Sequence, residues 1–219
     1  MGSSIYIVGG GSSLVNEDLT RLAQKKTIGV NKSIFSLTNP SYFVTVDYTV
    51  IRKLGIERLR ALTCPRFFVV NFSVPSLQVK NGGIVDTKWN LVYQDIYDCF
   101  DMLILSNYSD GIGTTLRDFR SGNNSGYCGL QLAIALGYTE IYLLGIDLTI
   151  VGNETHYHGG YTEVPTSFEK KLPVYQEKFL QGLKEIRTKL PHVSVYSCSS
   201  ISLLNAVIPY VSLGESLTR

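Results

Sequence analysis

The stretch "SGYCGLQLAIALGYTEIYLLGIDL", residues 125–148, constrains the fold more than any other. It reads as an Ala/Leu-rich helix from about Ser125 to Leu136, a glycine stop at Gly137 and a strand over 140–146 that ends at Asp147. A glycine just past a helix ends it by turning left-handed without a steric penalty. The strand is apolar almost throughout, the pattern of a parallel strand covered on both faces.

The same grammar runs along the chain. Strand 5–8, the turn "GGGSSL", a helix to about Gln24 and strand 27–30 form a βαβ opening. Strand 43–46 is followed by a helical stretch over about 48–62, and strand 66–71 begins just after Pro65. Residues 72–95 have no clear period and are expected to form loops or a short hairpin, ahead of strand 101–107 and a loop over 108–120. A polar stretch over 149–166, a long amphipathic helix over about 167–189, strand 193–197 and a short helix "ISLLNAV" complete the core, with a polar tail after them. The expected architecture is α/β, a Rossmann-like doubly wound and mostly parallel sheet with helices on both faces. It forms one domain over 1–219, with a lid-like loop at about 149–166.

Composition agrees and excludes several functions. The chain is 44% hydrophobic and 17% charged, below the roughly 25% charged of an average soluble domain. A net charge of +2 over 219 residues, with no Lys/Arg run beyond short pairs, argues against nucleic acid. No stretch has the length of a membrane span, and "MGSSIYIVGGG" leads directly into a strand, so a cytoplasmic protein is expected. The four cysteines form no Cys-x-x-Cys pair and are expected to be buried thiols.

In a doubly wound sheet, ligands bind outside the carboxyl ends of the strands. The residues falling there are the Gly9–Gly10–Gly11 turn with Ser12, Asn31, Asp47, the helix start Asn123–Asn124–Ser125–Gly126, and Asp147. Leu14 replaces the third glycine of the dinucleotide fingerprint, and Val30 and Asn31 stand where a ribose-binding acid would be. An NAD site is therefore disfavoured. The glycines would still let backbone N–H groups approach an anion, with Ser12 and Ser13 capping the helix behind them. Capping and turn formation are the plainer roles for each of these polar residues. Arg117 and Arg120 could clamp an anion or pair with Asp110 and Asp118.

"THYHGGY" brings His156 and His158 into one glycine-punctuated loop with Tyr157 and Tyr161. In an extended segment the two histidines point the same way, so they could share a metal or line one wall. One imidazole titrating near neutrality suffices as general base toward a hydroxyl, and that role is favoured over metal binding.

"GGGSSL", "GVNKSIF" and "SGYCGLQLAIALGYTEIYLLGIDL" followed by "HYHGG" resemble the MptE-like Rossmann superfamily and, within its neighbourhood, the small bacterial sialyltransferases. The likeness spans roughly residues 5–47 and 121–205. It implies a CMP-activated acidic sugar held by the glycine turn, Asn31 and Asn123 to Gly126. It also implies His156 or His158 as acceptor-activating base and Tyr157 and Tyr161 steadying the departing phosphate, with no cofactor. Two positions depart from the sialyltransferase pattern: Gly10 and Asp47 each replace an asparagine. The alternative branch, Mg-ATP-dependent diphosphotransferases of the pterin diphosphokinase type, would hold Mg2+ at Asp47 and Asp147. A noncatalytic nucleotide-binding module is a third reading. Implied partners are a nucleotide-activated sugar and a small or glycan acceptor, with a homo-oligomer allowed for.

Overall fold

A computed structural model describes residues 3–71, 77–80, 83–86, 96–107, 110–150 and 165–219. Its centre is an eight-stranded sheet: β1 (Ser4–Val8), β2 (Thr27–Val30), β3 (Tyr42–Thr45), β4 (Arg66–Asn71), β7 (Met102–Asn107), β8 (Phe119–Arg120), β9 (Glu140–Leu144) and β10 (Ser194–Ser197). The spatial order is β10-β9-β1-β2-β3-β4-β7-β8, and every pairing is parallel. The chain steps outward from β1 to β8, then returns to the other side of β1 as β9. Such a reversal is the topological switch of a doubly wound sheet. The strands β5 (Leu77–Lys80) and β6 (Gly83–Asp86) form a separate antiparallel pair, so the short hairpin anticipated in 72–95 is present.

Two layers cover the sheet. Helices α3 (Ser125–Ala135) and α4 (Pro165–Lys189) lie on one face, where Leu130, Ile134, Phe179 and Leu183 pack with Ile5, Ile28, Val44 and Ile104. The opposite face carries α1 (Tyr48–Leu54) over Phe43 and Phe68, and the turns after β1 over Tyr6 and Tyr142. Ten consecutive residues of α3, Ser125 to Ile134, are buried, because α4 covers the side that the sheet does not; Tyr127 and Phe179 meet edge-to-face at 5.0 Å.

Four elements differ from the sequence reading, each for a local reason. The helix expected to reach Gln24 is instead two 3-10 turns, Ser12–Asn16 and Leu19–Leu22. Ser, Asn, Asp and Thr are frequent there and draw backbone amides to their side chains; Asp18 accepts both Thr20 N–H and Thr20 O–H. The helix over 48–62 is broken at Gly55, whose φ is 88°, into α1 and α2 (Ile56–Arg60). Strand β8 lies inside the segment read as a loop, and the helix "ISLLNAV" is a 3-10 turn over Leu203–Ala206. In the tail, a one-turn helix α5 (Leu213–Ser216) is held by a reciprocal Ser212–Glu215 capping box. No helix among the described residues is long and apolar enough to cross a membrane.

Candidate functional site

The carboxyl edge of the sheet begins at the seam between β1 and β9. Gly9 N–H and Gly11 N–H donate to Leu144 O and Gly145 O, both at 2.8 Å, so these two amides extend the ladder. A Cβ on Gly9 would stand 2.4 Å from Ile146 Cδ1, and one on Gly11 would stand 2.3 Å from Asp147 Oδ2. The glycines are therefore required by the close approach of the two strand ends. Asp147, 3% exposed, accepts Ser13 N–H at 2.9 Å and Ser13 O–H at 2.6 Å. Its carboxylate is the clasp that closes this seam. Gly11, not Ser12, occupies the N-cap of the 3-10 turn, and Ser12 Oγ is buried without a hydrogen-bond partner among the described residues. Gly10 is half-buried at the tip.

At the ends of β2 and β3 the polar groups are differently arranged. Asn31 takes a left-handed φ of 56°, which asparagine tolerates well. The fully buried Ser33 hydroxyl accepts Val30 N–H at 3.0 Å and lies against Val8 O and Val30 O, tying the ends of β1 and β2. Thr45, also fully buried, donates its hydroxyl to Asn31 Oδ1 at 2.7 Å and accepts Asp47 N–H at 3.1 Å. Asp47 is exposed and caps α1, its Oδ1 accepting Thr49 N–H at 2.8 Å and Val50 N–H at 3.2 Å.

Facing these turns from the other layer is the start of α3. Asn124 is its N-cap, Oδ1 accepting Tyr127 N–H at 3.0 Å. Ser125 Oγ accepts Val46 N–H at 3.2 Å, so the helix start is bolted to the end of β3. That leaves the amides of Ser125 and Gly126 without a partner among the described residues, at the positive end of an 11-residue helix. Asn123 is exposed in a left-handed turn, φ 53°. Gly126 is set by packing, since a Cβ there would lie 2.9 Å from Ile146 Cδ1, the same methyl that excludes one from Gly9.

Helix α4 reaches the same edge of the sheet. Gln176 Nε2 donates to Leu148 O at 2.8 Å. Tyr175 packs partly buried against the main core, and its hydroxyl is pushed above the ordinary phenol range by burial and then by the negative charge of Asp47. Tyr175 thus neighbours the same rim as Asn31 and α3. Arg120 donates to Asp110 O and lies 3.5 Å from Asp118, while Arg117 is exposed; for Arg120 the ion-pairing role is the one realised.

His156, His158, Tyr157 and Tyr161 lie outside the described residues. The polar candidates Gly10, Asn31, Asp47, Asn123, Asn124 and Ser125 share one rim, whereas Gly9, Gly11 and Asp147 are consumed in the β1–β9 seam beside it. Asp47 and Asp147 each hold their own partners, and among the described residues no group of three His, Cys, Asp or Glu is placed to hold a metal ion. Ser13, expected to cap a helix, instead donates to Asp147, and Thr45, Ser33, Tyr175 and Gln176 are not singled out by the sequence. Thr45 carried a signal, a hydroxyl inside the apolar run "FVTV" two residues before an acid. Tyr175 read simply as an apolar position of an amphipathic helix.

No protein-family model matches the chain, and no curated protein matches it. Among solved structures it is similar to the sialyltransferase CstII from Campylobacter jejuni in complex with a substrate analogue, CMP-3FNeuAc. The TM-score is 0.49 and the identity 19%, over 96% of this chain and 86% of that one.

Proposed function

We propose that the chain is a sialyltransferase-like glycosyltransferase that moves an acidic sugar from a CMP-activated donor to a hydroxyl acceptor. The observation that carries this is the start of α3. Two amides without a partner among the described residues, Ser125 N–H and Gly126 N–H, stand at the positive end of a helix held rigid by burial. The Asn31 carboxamide ends a neighbouring strand on the same rim. Helix starts of this kind bind phosphate groups. The "SGYCGLQLAIALGYTEIYLLGIDL" and "HYHGG" segments resemble small bacterial sialyltransferases in the same region.

In this reading the phosphate of CMP lies against Ser125, Gly126 and Gly10, and Asn31 and Asn123 donate to nucleotide oxygens. His156 or His158 removes the proton of the acceptor hydroxyl as it attacks the anomeric carbon. Tyr157 and Tyr161 donate hydrogen bonds to the departing phosphate. Asp47, exposed and with Oδ2 uncommitted among the described residues, accepts from ligand hydroxyls. Asp147 acts one step back, holding Ser13 and the turn.

Calorimetric titration tests the reading. CMP and CMP-sugars should bind with affinity indifferent to chelator. Binding of ATP that requires magnesium, with none of CMP, would overturn it. His156→Ala and His158→Ala should leave CMP binding intact while one of them abolishes transfer; full transfer by both variants would remove the histidine from the mechanism.

A further inference from the structure

Thr45 has one hydroxyl hydrogen and two lone pairs, and the fold uses the hydrogen and one lone pair. One lone pair receives Asp47 N–H at 3.1 Å; the hydrogen goes to Asn31 Oδ1 at 2.7 Å. The side chain is 0% exposed, so water does not substitute for either partner. With the carboxamide reversed, the Asn31 NH2 group would donate to the second lone pair of the hydroxyl, and Oδ1 would no longer face its hydrogen. The Thr45 hydrogen would then be buried with no acceptor among the described residues, which is unfavourable. The Asn31 NH2 group, by contrast, has no partner among the described residues, and Asn31 is half-buried at the rim.

We infer that Thr45 is a positioning residue: it turns the Asn31 carboxamide so that the NH2 group, never the oxygen, meets the nucleotide. This rests on the nucleotide-binding reading above. An asparagine left free can donate or accept, so it tolerates either polarity in a ligand. Fixed by Thr45, Asn31 selects an acceptor oxygen, on the phosphate or on the pyrimidine ring. The same hydroxyl holds Asp47 N–H, so it sets the entry to α1 and with it the Asp47 carboxylate.

Thr45→Val keeps the shape and removes the hydroxyl, while Thr45→Ser keeps the hydroxyl. Thr45→Val should weaken CMP about tenfold, and Thr45→Ser should restore it to within about twofold, the scale of one hydrogen bond. In an Asn31→Ala background Thr45→Val should cause no further loss. An equal loss in both backgrounds, or no loss in the single variant, would overturn the inference. A loss seen with CMP but not with cytidine assigns the acceptor to the phosphate, and a loss with both assigns it to the nucleoside; either supports the relay. A readout without ligand separates this from the functional reading. The Asn31 NH2 resonances, identified by their absence in Asn31→Ala, should move in Thr45→Val and return in Thr45→Ser. Asp47 amide exchange should quicken and slow with them. If CMP does not bind the unaltered protein, the functional reading falls; unmoved NH2 and amide signals would overturn the relay in either case.

Discussion

Gly11→Ala separates two explanations of the glycine turn. The backbone there, φ −64° and ψ 154°, is one that alanine adopts freely. If the glycine served only to admit a ligand, the substitution would stabilise the free protein by roughly 0.4–1 kcal/mol through the unfolded chain. The packing says otherwise. The new methyl would stand 2.3 Å from Asp147 Oδ2 and 2.8 Å from the backbone oxygen of Gly145. Asp147, 3% exposed, would be driven off Ser13, whose N–H and O–H it holds at 2.9 and 2.6 Å. Each hydrogen bond to a charged group contributes roughly 1.5–3 kcal/mol, and overpacking against backbone adds about 1–3 kcal/mol. Partial relaxation and the gain in the unfolded state leave a net loss of about 3 kcal/mol. With a urea dependence of about 2–3 kcal/mol/M, the midpoint should fall by about 1 M. Ser13→Ala should lose less alone and add little to Gly11→Ala, since both break the same clasp. A Gly11→Ala protein as stable as the unaltered one, or more so, would refute the reasoning.

Two further outcomes follow from packing and charge. Gly129→Ala places a methyl 2.8 Å from Ile7 Cγ2 and 3.3 Å from Val30 Cγ2 between α3 and the sheet, and should lower stability by about 1–3 kcal/mol in denaturant unfolding. Arg66 grips Asp101 with two guanidinium bonds at 2.9 Å and its own N–H at 2.8 Å, which holds the Asp101 carboxyl below the usual carboxylate range. Asp101 is about half exposed, so the pair contributes about 0.5–1 kcal/mol. A depressed folded-state pKa stabilises above the unfolded value of about 4 and is lost as pH falls through the folded value. Asp101→Asn should therefore be less stable than the unaltered protein at pH 7, and the difference should shrink below about pH 4 and vanish once the pH is under the depressed folded-state value.

The strands were legible because their signal is local: "IYIV", "RFFVV" and "EIYLL" are short apolar runs bounded by polar turns, and all three are strands of the parallel sheet. Helix α3 was legible for its apolar run and for Gly137, which does adopt a left-handed φ of 85°. The segment after β1 was not, because its helical spacing competes with Ser13, Asp18 and Thr20, whose side chains find backbone or carboxylate partners, one of them 134 residues away. The site was half legible. That polar residues would gather at the strand ends follows from topology. Which of them are spent on the fold is a matter of long-range pairing: Asp147 answers to Ser13, and Gly9 and Gly126 both answer to one methyl of Ile146. Sequence order does not print such meetings; for Thr45 it offers only a hydroxyl within the apolar run "FVTV", which reads as one more strand residue.

The burial of α3 on all sides fixes how its amino-terminal donors behave in time. A helix sandwiched between sheet and α4 has no way to unwind while its neighbours stay put, so its interior amides should exchange with solvent only by global opening. The donors at its tip therefore keep one direction, and in the proposed reading a nucleotide would meet little reorganisation penalty on that wall.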